Sequence, residues 1–316
     1  MTFQLKKQAS GALALHNPET GETMHPGHGP WAEATGLYVS GSGLPALLTE
    51  AREGEVVVFD VGLGGAANAL AAISAWEELR GLGRRIRPLR IVSFENDPEP
   101  LRFAIGNAEA LGYLRGYEDV LEQLLRDGQW QREDGGIAWE LRLGDFTSLI
   151  HEEPRRADVV FFDPFSPRTN PPMWSLATLE GVFACRRPGG NCRLVTYSTA
   201  FGTRAALLLA GYYVGDCPGR DTSRMGTVAQ THFSGLHLPL DRGWLGRWKR
   251  DRMPWPCLTP TTQHRQVREQ LLGHPQWEHF ANADPDSGTR ATVKNRPGRN
   301  RPGPKNKKPG KRRPLK

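Results

Sequence analysis

The sequence predicts an α/β protein built on a mostly parallel, doubly wound sheet, and three observations carry that reading. Short β-branched runs alternate with stretches of helical periodicity, the first run breaks at a glycine cluster, and the later apolar runs are continuous. Continuous runs are what strands covered on both faces require.

The elements follow in order. EVVVFD, Glu55 to Asp60, stops at Gly62 and Gly64; in the AANALAAISAWEELR that follows, Leu70, Ile73 and Trp76 fall at helical spacing with Arg80 beyond. This is strand, tight turn, helix. LRIVSFE, Leu89 to Glu95, ends on an acid, and LRFAIGNAEALG after it keeps helical periodicity up to a glycine stop. IAWELRLGD (137–145), ADVVFFD (157–163) and NCRLVTYS (191–198) supply further strands, with helices near 175–185 and 204–210. YYVGDC and a run near Thr227 to Phe233, joined by the turn-rich PGRDTSRMG, suit an antiparallel hairpin that closes the sheet. Residues 236–286 carry Trp244, Trp248, Trp255 and Trp277 among prolines and charges, and read as a small cap or a segment wrapping the domain.

Charge is regional. Of the 41 Lys and Arg in the 316 residues, 12 lie at 288–316, where there is no acid, so the rest of the chain holds 29 basic residues against 34 acidic ones. The overall +7 therefore describes a basic tail on a mildly acidic body. The tail is dominated by Pro, Gly, Asn, Lys and Arg and cannot bury enough apolar area to offset its chain entropy, so disorder is expected there. No apolar run approaches the roughly 18 to 20 residues that span a bilayer, and the first residues, MTFQLKKQASGALALHN, lack a sustained apolar stretch for secretion. The expectation is a cytoplasmic protein with no membrane partner. Cys185, Cys192, Cys217 and Cys257 form no C-x-x-C pair, so neither a zinc site nor a disulfide framework is expected. His25 and His28 in HPGH, and His232 with His237, lack further placed ligands and read as surface or turn histidines.

The chemistry concentrates at strand ends. Gly62 and Gly64 sit where a strand turns into a helix whose first amides are free, and glycine there lets a ligand approach the backbone. A dinucleotide fingerprint would place a third glycine at Ala67; it permits alanine, which keeps NAD open. Asp60, immediately before the turn, would face a bound cofactor, repel a pyrophosphate and favour a sulfonium or ammonium group, an arrangement that suits S-adenosylmethionine. Glu95 is placed to accept hydrogen bonds from a ribose diol. Asp145 either accepts from an adenine amino group or caps the helix beginning FTSLI. In VVFFDPFSPRTNPPMW a hydrophobic strand delivers Asp163 to its carboxyl end, where open α/β sheets bind ligands, and Pro164 biases it toward extended backbone. With Phe165 and the loop to Trp174 beside it, Asp163 could orient a substrate amine and help remove its proton. No G-x-S-x-G elbow is present, so nucleophilic hydrolysis is not expected.

These residues resemble the methyltransferase domain of the MnmC-type enzymes, which make 5-methylaminomethyl-2-thiouridine at the tRNA wobble position. The likeness runs in order through GETMH, GPWAEATGLYVSGSGL, DVGLGGAANAL, IVSFENDP, LRLGD, FFDPFSPRTNPPMW, RRPGG and the closing GR-x(3)-RM, over about residues 17–233. It implies a class I, Rossmann-like fold that binds S-adenosyl-L-methionine and transfers its methyl group to the exocyclic amine of 5-aminomethyluridine. It also implies roles. Gly62, Gly64 and Asn68 match the cofactor loop, Glu95 the ribose acid, Asp145 the adenine-side acid and Asp163 the aspartate beside the amine. Phe165, Trp174, Arg220 and Arg224 fall on the substrate side. The implied organisation is an N-terminal extension packing on the catalytic domain (1–44), the methyltransferase domain (45–235), the cap or wrapping segment (236–286) and the basic tail (287–316), which could contact RNA phosphates. The bifunctional members add a flavin-dependent oxidase; the residues after 235 contain no G-x-G-x-x-G, so no FAD is expected. Two other readings stay open: methylation of another amine or RNA, and a non-catalytic RNA-binding protein on a degenerate methyltransferase fold.

Overall fold

A computed structural model describes residues 3–218, 225–250 and 255–280. Arg220, Arg224 and the tail at 287–316 lie outside the described residues.

The main sheet forms from β4 (Val56–Val61), β5 (Leu89–Glu95), β6 (Gln129–Gln131), β7 (Ile137–Leu143), β8 (Val159–Phe162), β9 (Arg193–Thr196), β10 (Tyr213–Pro218) and β11 (Met225–Gln230). Their order across the sheet is β10-β11-β9-β8-β4-β5-β7-β6. The pairs β4 with β5, β4 with β8, β5 with β7 and β8 with β9 are parallel, whereas β11 runs antiparallel between β9 and β10. The hairpin expected after Gly211 therefore does close the sheet, with its second strand inserted inside the first. From β4 the chain builds outward through β5 and β7, then returns to β8 and β9 on the other side. β4 is thus the switch point, and a crevice opens at the carboxyl ends of its neighbours.

Strand periodicity divides the core in two. Val56 and Val58 join one buried cluster with Leu70, Ile73 and Trp76 of the helix Ala67–Gly81, while Val57, Phe59 and Val61 join the other with Leu179, Leu207 and Trp244. Every residue of β4 is buried, as a strand covered on both faces must be. The tryptophan-bearing segment lies on the second face. Its helices Arg242–Arg250 and His264–Leu272 bring Trp244 into a stack with Phe201, and buried Gln276 bonds both backbone groups of Val214 and the carbonyl of Leu240.

The N-terminal segment forms an element that periodicity did not reveal. β1 (Gln4–Lys7), β2 (Leu13–Asn17) and β3 (Glu22–Thr23) make a small antiparallel sheet, followed by the helix Pro30–Glu33 and a π-helical stretch, Ala34–Val39. Leu37, Tyr38, Val39, Leu44 and Leu48 from this region share the first core cluster, and the helix Leu44–Thr49 spans the expected domain boundary. None of the described helices is long and apolar enough to cross a membrane.

Candidate functional site

A cavity of about 1250 Å³ opens at the carboxyl ends of β4, β5, β7 and β8, and the N-terminal segment supplies its opposite wall. Gly62 lets the chain leaving β4 run close against the chain leaving β8. It stands at φ +87°, and a Cβ there would lie 2.7 Å from the Asp163 carbonyl oxygen, so only glycine fits. Gly64, at φ +52°, sits under Met24 and donates its N–H to Glu95 Oε2 at 2.9 Å.

Glu95 also accepts the amides of Asn96 (2.9 Å) and Asp97 (3.2 Å). Burial pushes its carboxyl above the usual range, against the three amides that favour the anion. It faces the cavity at the end of β5 with acceptor capacity to spare, which a ribose diol can use. Asp145 takes the capping role: it accepts from the Thr147 amide (3.1 Å) and hydroxyl (2.6 Å) at the start of the helix Phe146–Glu152, and it also lines the cavity.

Asp163 follows β8, its amide bonded to the Val61 carbonyl at 2.9 Å. Its Oδ2 accepts from Asn68 Nδ2 at 2.8 Å and lies 3.6 Å from His25 Nε2. Burial raises its carboxyl to about 6, with the neighbouring His25 cation pulling the other way. Asn68 is itself buried and acts through this bond, since it does not line the cavity.

Asn68 was expected in the cofactor loop, and two further placements differ from expectation. Asp60 was expected to face a cofactor, but strand alternation turns it to the face covered by the helix Ala67–Gly81, where it is fully buried and outside the cavity wall. Ser93 donates to its Oδ2 at 2.8 Å, Trp139 Nε1 donates to Ser93 at 2.9 Å, and burial raises its carboxyl to about 7. Trp174, expected on the substrate side, has no exposed surface. Its ring packs edge-on to Phe162 and Tyr197, and its Nε1–H holds the Phe165 carbonyl at 2.8 Å, so it buttresses the loop whose Phe165 lines the cavity.

Sequence reasoning missed the N-terminal wall. His25, read as a surface or turn histidine, is nearly buried at φ +50° between Glu33 and Asp163. Glu22 accepts the Ser166 amide at 3.1 Å and the hydroxyls of Ser166 and Thr169, which fastens the loop after Asp163. Tyr197 donates to the Pro164 carbonyl at 3.0 Å. The signal was present in GETMHPGHGPWAE, where two acids and two histidines stand among glycines, but nothing local tied them to Asp163.

The described lining includes the carboxylates of Glu22, Glu33, Glu95, Asp97, Asp145 and Asp163, and no Lys or Arg. Such a wall favours a sulfonium or ammonium ligand over a pyrophosphate, the preference the sequence had assigned to Asp60. Residues 114–232 match the family described as S-adenosyl-L-methionine-dependent methyltransferase. The likeness covers 119 of the 316 residues. The chain's sheet order and site make it a class I methyltransferase whose cofactor is S-adenosyl-L-methionine, and the cavity fits that group chemically: Met24 packs on Gly64, and Glu95, Asp145 and the other carboxylates give it an acidic wall suited to a sulfonium.

Among relatives, the methyltransferase is 29% identical over 251 residues to the bifunctional tRNA 5-methylaminomethyl-2-thiouridine biosynthesis protein MnmC of Paracidovorax citrulli, covering 75% of this chain and 36% of that one. With the MnmC of Cupriavidus metallidurans the identity is 31% over 223 residues, covering 68% and 32%. The chain thus spans about a third of the length of these relatives. The crystal structure of MNMC2 from Aquifex aeolicus superposes with a TM-score of 0.64 at 24% identity, over 86% of this chain and 83% of that one, and shares its fold. No group of three or more His, Cys, Asp and Glu among the described residues could hold a metal ion.

Proposed function

We propose that this methyltransferase N-methylates the exocyclic amine of 5-aminomethyl(-2-thio)uridine at the tRNA wobble position. The observation that carries the reading is the Asp163 carboxylate, held by Asn68 at the wall of a cavity lined by acids, where a cationic amine is drawn in and oriented. The names of the relatives supply the substrate class.

When bound, the cofactor supplies an electrophilic methyl group on a sulfonium. Glu95 and Asp145 hold its nucleoside end, and Asp163 accepts an N–H of the acceptor amine so that the nitrogen lone pair is directed in line. A primary ammonium must lose a proton before it can attack, and the secondary ammonium product carries another. The Asp163 carboxylate is the acceptor assigned to either proton. Phe165 and Met173 present apolar surface suited to a flat base, while Trp174 keeps Phe165 in place. Arg220, Arg224 and the cations of the tail are assigned to RNA phosphates, where their contribution falls as salt rises. A tRNA substrate places the reaction in the cytoplasm.

The test is to incubate the full chain with methyl-labelled cofactor and tRNA bearing 5-aminomethyluridine, then digest the RNA. Label in the wobble nucleoside supports the reading. Label on another amine or RNA redirects the substrate, and cofactor binding without any transfer removes the enzymatic reading.

A further inference from the structure

We propose that His25 is a positioning residue of the transfer reaction: clamped between Glu33 and Asp163, its imidazolium keeps Asp163 anionic in a buried wall and aims it at the methyl acceptor. The kinetic half of this inference rests on the methyltransferase reading above; the electrostatic half does not.

The clamp is built. His25 Nδ1 lies 3.3 Å from Glu33 Oε1 and Nε2 lies 3.6 Å from Asp163 Oδ2, with all three side chains only 11% exposed. Each ring nitrogen thus faces a carboxylate, which only the doubly protonated ring satisfies on both sides. The backbone at φ +50° is uncommon for a residue with a side chain, and it persists where the surroundings over-determine it. Those surroundings are the flanking residues: Met24 is packed over Gly64, and Glu22 is fastened to Ser166. The peptide that positions His25 is therefore tied to both the cofactor loop and the loop after Asp163.

The charge of the neighbourhood gives the clamp its consequence. The groups facing His25 and Asp163 are Glu33 from the helix Pro30–Glu33, Asp60 from β4, Tyr38 from the π-helical stretch and Tyr197 after β9, with Glu22 beyond Tyr197. Three buried carboxylates without a cation relieve their repulsion by protonating one of them. Asp163 is then the group whose loss matters, because a protonated carboxyl no longer draws in an ammonium. One imidazolium between Glu33 and Asp163 favours the ionised form of Asp163. Burial alone would lower the His25 pKa, yet Asp163 and Glu33 raise it to about 9, above the range in which Asp163 ionises.

Two measurements test this independently. In the full chain labelled with 15N-histidine, one of the nine imidazoles should retain imidazolium shifts at pH 8. That signal should vanish in His25→Asn, which tolerates the positive φ, and should titrate at lower pH in Glu33→Gln and in Asp163→Asn. If every histidine titrates near the ordinary value of about 6.5, the inference is overturned whatever the substrate. In the methylation assay, the acid limb of kcat in His25→Asn should move up by about one pH unit or more, with the KM for tRNA and the cofactor affinity within about twofold of the parent. His25→Lys, which restores a cation, should move it back. An unmoved limb with kcat lowered uniformly would make His25 a structural residue and overturn the proposal. Absence of any methylation of 5-aminomethyluridine by the unmodified chain would sink the substrate assignment and leave the histidine titration to decide the clamp.

Discussion

Asn68 donates its side-chain amide to Asp163 Oδ2 across 2.8 Å, and this bond joins the first turn of the helix after β4 to the carboxyl end of β8. The helix that opens the cofactor loop thereby also orients the residue assigned to the methyl acceptor. On the proposed reading Asp163 serves the transfer step, with little share in holding the cofactor.

Asp163→Asn tests that division. The substitution keeps the shape and can keep the bond to Asn68 through its carbonyl, but it removes the charge. Turnover should fall by about 100-fold or more, while calorimetric affinity for S-adenosyl-L-methionine stays within about twofold. Turnover near that of the parent would refute the role.

Activity should follow the ionisation of Asp163. Its folded pKa is raised to about 6, and the anion is the competent form, so kcat should be maintained above pH 7 and fall as pH drops through about 6. A flat profile between pH 5 and 8 would be inconsistent with a carboxylate in this position.

Asp60 predicts a stability effect of defined sign. Burial raises its folded pKa to about 7 from an unfolded value of about 3.9. The fold therefore prefers the protonated form, and the cost of ionisation is absent below about pH 4, grows as pH rises and levels off above about 7. Asp60→Asn should be more stable than the parent at pH 8 by an amount on the order of a few kcal/mol, with the difference shrinking toward pH 5. Thermal melts across that range check it, and an equal difference at both ends would contradict the assignment.

Gly62→Ala places a Cβ 2.7 Å from the Asp163 carbonyl oxygen and 3.1 Å from Pro164 N, at φ +87°. Backbone on both sides has little room to give, so a loss of about 2 kcal/mol or more in stability is expected, together with displacement of Asp163. Denaturant unfolding measures the first and turnover the second. A variant as stable and active as the parent would show that β4 and β8 can separate freely.

Local pattern made much of this architecture legible. The fully buried run of β4, the glycine turn and the acids ending β5 and β8 could be placed on a doubly wound sheet because each signal lies within a few residues. Glu95, Asp145, Asp163 and Phe165 come together at the cavity for that reason. What escaped depends on pairing across long separations. β1 and β2 are short strands from a chain end, and His25 meets Asp163 only because the segment carrying it folds back over the sheet. The orientation of Asp60 failed for a different reason. Strand ends alternate, so a carboxylate at the last positions can point to the crevice or into the core, and here Ser93, itself held by Trp139, receives it in the core.

Isothermal titration of the full chain with S-adenosyl-L-methionine and, separately, with NAD, alongside Glu95→Ala, tests most directly whether the acidic crevice holds an adenosyl sulfonium. The account predicts one site for S-adenosyl-L-methionine, weakened about tenfold or more in Glu95→Ala by loss of charge-assisted hydrogen bonds, and no comparable affinity for NAD. No heat with S-adenosyl-L-methionine, or tighter binding of NAD, would contradict it.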